Sequence, residues 1–168
     1  MPSTELFPLA GKRVWVAGHR GMVGAALVRR LAREDCAVLT VGRAELDLSR
    51  QGNTEAWVAA HRPQVVILAA AKVGGILAND TYPVDFLVTN LQIETNVITA
   101  AHAAGVEKLL FLGSSCIYPK LAAQPLTEDA LLTGPLEPRN SSFPTPAAWE
   151  AAITLVSICR FFSRKSTG

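Results

Sequence analysis

Gly18, Gly21 and Gly24 lie between an apolar run and a segment whose apolar residues recur at helical spacing. The apolar run, residues 14–17, predicts a buried strand, so the glycines indicate a strand that turns directly into a helix. Such a turn needs glycine where the backbone bends, where a phosphate approaches the chain and where the helix packs on the strand. Because the N–H groups at a helix start attract anions, the segment predicts a site for nucleotide phosphates.

The residues after the second predicted strand indicate which dinucleotide would bind. The spacing G-x-x-G-x-x-G is by itself weak evidence for a dinucleotide site. An NAD site calls for Asp or Glu about twenty residues beyond the turn. This chain has Val41, Gly42 and Arg43 there. The guanidinium groups of Arg43 and Arg20 can pair with a 2′-phosphate, which favours NADP over NAD. The alternative is that both arginines are solvated surface charges.

Length and composition favour one globular domain, since the 168 residues are 49% hydrophobic and 18% charged. A net charge of +2, without a basic stripe among aromatic residues, indicates no nucleic-acid partner. The three cysteines lack metal-ligand spacing and no signal segment is recognisable, so we expect a cytoplasmic protein without a bound metal. No apolar run approaches the roughly twenty residues that span a bilayer, so no membrane partner is expected.

The order of elements predicts an α/β fold with a Rossmann-like, doubly wound parallel sheet. The predicted strands cover residues 14–17, 37–41, 64–70 and 107–113, and the predicted helices cover residues 22–34, 49–61 and 83–104. Ligands of such sheets bind beyond the carboxyl ends of the strands, so Gly18, Arg43, Ala70 and Ser114 are expected to converge there.

The first and last of these helices show an apolar face by their spacing. The apolar face of the first helix is predicted to contain Val23, Leu27, Val28 and Leu31. The polar side of the last helix is predicted to contain Asn90, Gln92, Glu94 and Asn96. We expect Trp57 and Val58 on the inner side of the middle helix, and Gly105 to end the last one.

Ser114, Ser115 and Cys116 follow the fourth predicted strand on its ligand-facing edge. A serine hydroxyl there can hydrogen-bond a substrate carbonyl, and a thiol can exchange a proton with a carbon acid. The alternatives are that the serines only satisfy the backbone of a turn and that Cys116 is a small buried hydrophobic residue.

Four runs in order resemble the GDP-L-fucose synthases, a family of extended short-chain dehydrogenases/reductases. The runs are residues 17–24, 69–76, 81–83 and 111–120, the last followed by residues 136–138. The resemblance extends over residues 14–140, which is about three quarters of the chain.

This resemblance implies epimerisation of GDP-4-keto-6-deoxymannose at C3 and C5 and reduction of its C4 ketone by NADPH. It implies that Ser114 holds the keto oxygen and that Cys116 moves protons during epimerisation. In this family, dimers form through the helix predicted at residues 83–104 and the helix that bears the family's tyrosine. Only the first of these is intact here, which leaves dimerisation open. The implied NADP-contacting residues are Gly18, His19, Arg20, Gly21, Met22, Val23, Gly24, Arg43, Ala44, Glu45, Leu46, Asp47, Leu48, Ala69, Ala70, Ala71, Leu112, Gly113, Ser114 and Ser115.

The chain departs from the family near its end. Reduction in the family needs a Tyr-x-x-x-Lys pair, and Phe143 and Ala147 stand at those positions. We therefore expect an NADP-binding domain at residues 1–140 and a divergent tail at residues 141–168. The apolar spacing of residues 147–162 predicts a helix, and the alternative is a poorly packed tail that exposes apolar surface. The family's substrate domain is not expected in this chain. A truncated isoform, an error in the predicted gene and a divergent protein all remain open.

On its own, such a chain is expected to be inactive. The alternative function is a non-catalytic NADP(H)-binding module or an interaction partner of an intact subunit. A flavodoxin-like fold and a P-loop NTPase are disfavoured, because the first turn has neither a hydroxyl-rich loop nor Gly-Lys-Ser/Thr.

Overall fold

The computed structural model describes residues 7–113, 117–131 and 133–135. Within these ranges the strands are β1 (Lys12–Ala17), β2 (Cys36–Leu39), β3 (Val65–Leu68) and β4 (Lys108–Phe111). The helices are α1 (Met22–Leu31), α2 (Gln51–His61), α3 (Ile76–Thr81) and α4 (Pro83–Ala103), and a short 3-10 helix covers Glu128–Ala130. None of these helices combines the length and hydropathy needed to cross a bilayer.

The described strands form one parallel sheet in the order β2-β1-β3-β4. Trp15 on β1 pairs with Leu39 on one side and with Val66 on the other. The chain first builds outward from β1 to β2 and then returns to the other side with β3, which creates a switch point beyond the ends of β1 and β3. Flavodoxin-like sheets share this order, so the ligand class must be inferred from the loops rather than from the topology.

Every strand and helix that was predicted within the described ranges is present, but the second, third and fourth strands end earlier than predicted. The second strand ends at Leu39 rather than at residue 41, the third at Leu68 rather than at residue 70, and the fourth at Phe111 rather than at residue 113. At these ends the backbone leaves the sheet ladder and forms the loops of its carboxyl edge. The first helix also ends early, at Leu31, whereas Gly105 follows the last helix with a φ of +69° as expected.

The six residues of α3 were not predicted. They are too few to show a helical period. Tyr82 alone separates α3 from Pro83, the first residue of α4, where proline is well tolerated.

Side chains alternate between the two faces of β1, and both faces are covered. Trp15 and Ala17 belong to one core cluster, on the face covered by α2 and α4, while Val14 and Val16 belong to a second cluster with Leu31 of α1. All four residues of β3 are buried, which accounts for its uninterrupted apolar sequence.

The inner face of α2 is as predicted, and that of α1 is partly different. Val58 is fully buried and Trp57 packs on Trp15, with ring centroids 4.5 Å apart. Leu31 is buried, but the placement of Val23 on the core face was wrong, because this side chain is 46% exposed. Val23 lies in the first turn of α1, next to the glycine turn at the carboxyl edge of the sheet.

Candidate nucleotide-binding site

A cavity of about 210 Å³ lies at the carboxyl edge of the sheet, beyond β1, β2 and β3. Ten of the predicted cofactor-contacting residues line it: Gly18, His19, Arg20, Gly21, Arg43, Leu46, Asp47, Leu48, Ala70 and Ala71. Seven residues that were not predicted also line it: Trp15, Ala17, Val41, Gly42, Lys72, Thr89 and Ile93. The structure therefore brings together Gly18, Arg43 and Ala70, as expected from the strand order.

The glycine turn between β1 and α1 is packed main chain against main chain. Gly18 has a φ of +90°, and a Cβ there would lie 2.5 Å from the Ala69 carbonyl oxygen. A Cβ on Gly24 would overlap the Gly18 carbonyl oxygen. The Gly21 N–H donates to that same oxygen at 3.0 Å, and α1 begins one residue later. The turn thus brings a helix N-terminus to the cavity, where it can receive an anion.

Two arginines lie together at the β2 side of the cavity. The Arg20 guanidinium lies against Gly42, because a Cβ at that glycine would be 3.2 Å from Arg20 Nη2. Arg43 is the next residue, and both arginine side chains are exposed to an incoming ligand. This end of the cavity therefore offers two guanidinium groups of the kind that bind a phosphate bidentately.

The one acidic side chain that lines the cavity within the described ranges is Asp47, and it is hydrogen-bonded within its own loop. Its Oδ1 accepts from the Ser49 hydroxyl at 2.8 Å and from the Ser49 N–H at 3.1 Å. These bonds, with smaller contributions from Arg43 and Arg50, hold the pKa of the Asp47 carboxyl below its ordinary value. Asp47 therefore stays ionised, with one of its carboxylate oxygens held by Ser49.

On the β3 side, the cavity wall is the loop that follows the strand, and α4 holds this loop. Asn90 Oδ1 accepts from the Lys72 N–H at 2.6 Å, and Asn90 Nδ2 donates to the Lys72 carbonyl at 3.0 Å. The Lys72 ammonium lies 5.1 Å from the centroid of the Phe86 ring. Sequence reasoning missed Lys72 as a lining residue, although its place directly after the predicted strand end was a usable signal.

Two polar residues of α4 are not on a solvated side. The prediction that Asn96 lies on the polar side of α4 was wrong. Asn96 is 7% exposed, and its Nδ2 donates to the Leu48 carbonyl at 2.9 Å. Because that carbonyl lies in an irregular loop, it needs a side-chain donor, which the helical period could not reveal. Glu94 is half-buried, and its burial raises the pKa of the carboxyl to about 7.

The remaining predicted contact residues lie outside the cavity lining or outside the described residues. Those described but not lining the cavity are Met22, Val23, Gly24, Ala44, Glu45, Ala69, Leu112 and Gly113. Ser114, Ser115 and Cys116, the positions Phe143 and Ala147, and the helix predicted near residues 147–162 lie outside the described residues. Among the described residues, no group of three or more His, Cys, Asp or Glu side chains could hold a metal ion.

Residues 14–143 match the profile of the NAD dependent epimerase/dehydratase family. The chain is 54% identical over 160 residues to a GDP-L-fucose synthase of Sinorhizobium fredii, covering 95% of this chain and 49% of that protein. It is 48% identical over 158 residues to the Escherichia coli GDP-L-fucose synthase, covering 94% of this chain and 48% of that protein. The first match extends past residue 140, where the sequence alone indicated that the resemblance fades.

Among solved structures, the chain is similar to MlghC, a GDP-mannoheptose C4 reductase from Campylobacter jejuni with NADP bound. The TM-score is 0.79 at 34% identity, and the match covers 90% of this chain and 47% of that one. The chain thus spans about half the length of the relatives that it matches. These matches confirm the predicted Rossmann-like, doubly wound fold, which the strand order alone did not distinguish from a flavodoxin-like sheet.

Proposed function

Because the chain belongs to the NAD dependent epimerase/dehydratase family, we propose that it is the NADP(H)-binding part of a GDP-L-fucose synthase. The substrate class, a GDP-linked 4-keto sugar, is proposed from relatives named as GDP-L-fucose synthases. The proposed reaction epimerises GDP-4-keto-6-deoxymannose at C3 and C5 and then reduces the C4 ketone. We assign this activity to the whole enzyme, of which the chain corresponds to about half.

The observation that carries this proposal is the pair of guanidinium groups, Arg20 and Arg43, at one end of a cavity whose middle is the glycine turn. A dinucleotide with a 2′-phosphate fits this arrangement, because the arginines would hold that phosphate while the start of α1 receives the pyrophosphate. The one acidic group lining the described cavity is bonded to Ser49. When bound, NADPH supplies the hydride that reduces the ketone.

The groups proposed to act on the sugar follow β4. We propose that the Ser114 hydroxyl donates a hydrogen bond to the keto oxygen, which polarises the carbonyl for hydride attack. We propose that the Cys116 thiolate takes protons from the carbons beside the ketone, whose acidity the carbonyl raises. A thiol with this role must stay reduced, which suits the cytoplasm. A homodimer is proposed for the whole enzyme only.

The cofactor part of the proposal is tested by titrating NADPH and NADH into the chain and following nucleotide fluorescence. Arg43→Ala should weaken NADPH binding about tenfold or more, because charge-assisted hydrogen bonds to the 2′-phosphate are lost. NADH binding should change less than about twofold, since NADH lacks that phosphate. Arg30→Ala is the matched control, because Arg30, on α1, pairs with Glu34 beyond the end of that helix, and neither residue lines the cavity. If Arg43→Ala weakened the binding of both nucleotides by the same factor, the proposal would be contradicted.

A second candidate, a non-catalytic NADP(H)-binding module, is favoured by one sequence observation: Phe143 and Ala147 stand where the family has its Tyr and Lys. Losing a general acid alone typically costs about two to four orders of magnitude in rate. NADPH oxidation in the presence of GDP-4-keto-6-deoxymannose separates the two candidates. We expect NADPH binding without turnover from these 168 residues. A rate close to that of a complete GDP-L-fucose synthase would exclude the module.

A further inference from the structure

Two asparagines of α4 hold the two loops that form opposite walls of the cavity. Asn90 makes both of its hydrogen bonds to the backbone of Lys72, in the loop after β3. Asn96 donates to the carbonyl of Leu48, in the loop after β2. Both Lys72 and Leu48 line the cavity. A single helix therefore fixes the backbone on either side of the glycine turn.

The geometry of α4 explains how one helix can reach both loops. Asn90 and Asn96 are six residues apart, which separates them by about 9 Å along the axis and turns them to different sides of the helix. Asn96 lies on the side that packs on α2, where Thr54 Oγ1 also approaches the Leu48 carbonyl, at 3.4 Å. Thr89, which precedes Asn90, and Ile93, between the two asparagines, line the cavity themselves. The helix thus forms the back of the cavity and holds both of its sides.

Each loop corresponds to one half of a bound dinucleotide. The loop after β2 carries Arg43 and leads to Leu48, so it forms the wall for the 2′-phosphate half. A dinucleotide that crosses the switch point between β1 and β3 would have its nicotinamide half on the side of Ala71 and Lys72, which line the cavity. The Lys72 ammonium, held over the Phe86 ring, forms no ion pair with any residue of the described ranges, so its charge is left for a ligand.

We propose that Asn90 and Asn96 are positioning residues of the cofactor site, each acting on a different half of the dinucleotide. Asn96 places the wall for the adenosine 2′-phosphate, and Asn90 places the wall for the nicotinamide half. This assignment rests on the proposed binding of NADP(H). Asn96→Leu should therefore weaken every ligand that contains the 2′-phosphate half, whereas Asn90→Leu should weaken only ligands that extend past the glycine turn.

The experiment compares two ligands, NADPH and adenosine 2′,5′-bisphosphate, by calorimetric titration of the chain. Adenosine 2′,5′-bisphosphate contains the 2′-phosphate half and lacks the nicotinamide half. Asn90→Leu should weaken NADPH about tenfold and the bisphosphate less than about twofold, because two hydrogen bonds to the Lys72 backbone are removed. Asn96→Leu should weaken both ligands by a similar factor. Gln92→Leu, an exposed amide on the same helix, should change neither.

Asn90→Asp keeps the result interpretable if the leucine variant does not fold. A carboxylate can accept from the Lys72 N–H but cannot donate to the Lys72 carbonyl, so an intermediate loss of NADPH affinity is expected. Hydrogen exchange of the Lys72 amide should be faster in Asn90→Leu than in Asn90→Asp.

The possible failures are distinguishable. If the unsubstituted chain binds neither ligand, the proposed function is wrong and this inference is lost with it. If it binds both ligands and Asn90→Leu or Asn90→Asp weakens the two equally, or neither, the inference alone is overturned.

Discussion

The glycine turn after β1 and residues 72–74 of the loop after β3 are fixed by different means. In the glycine turn after β1, main chain touches main chain, and the positions of Gly18 and Gly24 have no room for a Cβ. In the loop after β3, the backbone is held by α4 side chains, namely Asn90 and Phe86. A main-chain contact restricts the residue type at its own position, whereas a side-chain contact can be formed from a distant part of the sequence.

The largest effect is expected from Gly24→Ala, which adds a methyl group where the Gly18 carbonyl oxygen lies. Because neither the turn nor the helix can move without breaking the packing of α1 on the sheet, we expect a loss of about 3 kcal/mol or more in the free energy of unfolding. Urea unfolding followed by circular dichroism measures this loss. An unchanged urea midpoint would show that the turn is not packed main chain against main chain.

A control for this substitution is Gly52→Ala in α2, where a Cβ would meet nothing within 4 Å. Alanine is the better helix former, so this variant should be more stable by up to about 1 kcal/mol.

A smaller effect is expected in the other loop, from Gly74→Ala. Its Cβ would lie 2.8 Å from Cζ of Phe86, which is the tip of a side chain and can shift. We expect a loss of about 1–2 kcal/mol, and Phe86→Leu in the same chain should restore part of it by making room. Gly75→Ala has open space and should be close to neutral. A loss as large as that of Gly24→Ala would remove the distinction between the two loops.

The smallest effect is expected from Glu94, which lies on α4, the helix whose side chains hold the loop after β3. Burial raises the pKa of Glu94 to about 7, so the folded chain binds a proton more tightly than the unfolded chain, where the pKa is near its ordinary value of 4.5. The folded state is therefore progressively less stable as pH rises from about 4.5 to about 7.

Glu94→Gln removes this titration. Between pH 5 and pH 8, the free energy of unfolding of the variant should rise by about 1 kcal/mol relative to that of the unsubstituted chain. The partial exposure of the carboxyl keeps this difference small. Thermal unfolding at the two pH values measures the difference. A variant whose relative stability is the same at pH 5 and pH 8 would show that Glu94 titrates normally in the folded chain.

The sequence was sufficient for the features that depend on local composition. Apolar runs located all four described strands, and the glycine spacing located the turn. The basic pair, Arg20 and Arg43, could be placed because each follows a predicted strand end. The doubly wound fold followed from the alternation of these elements.

The features that were missed depend on contacts between distant residues. Asn96 has polar neighbours in the sequence, but in the fold it meets the Leu48 carbonyl, 48 residues away. Asn90 and Lys72 are 18 residues apart, and neither residue type alone signals their pairing. Strand ends were overestimated because apolar composition continues past Leu68 into Ala70 and Ala71, which lie beyond the last paired residue of β3 and line the cavity.

Trp15 gives the chain a built-in optical reporter. Its indole is fully shielded from water yet forms part of the cavity, and it packs on the Trp57 ring at a tilt of 36°, with the ring centroids 4.5 Å apart. A reduced nicotinamide nucleotide seated in the same cavity would lie close enough to accept excitation energy from this indole pair. Occupancy could then be followed by the quenching of tryptophan emission and the sensitised emission of the nucleotide, without attaching a dye.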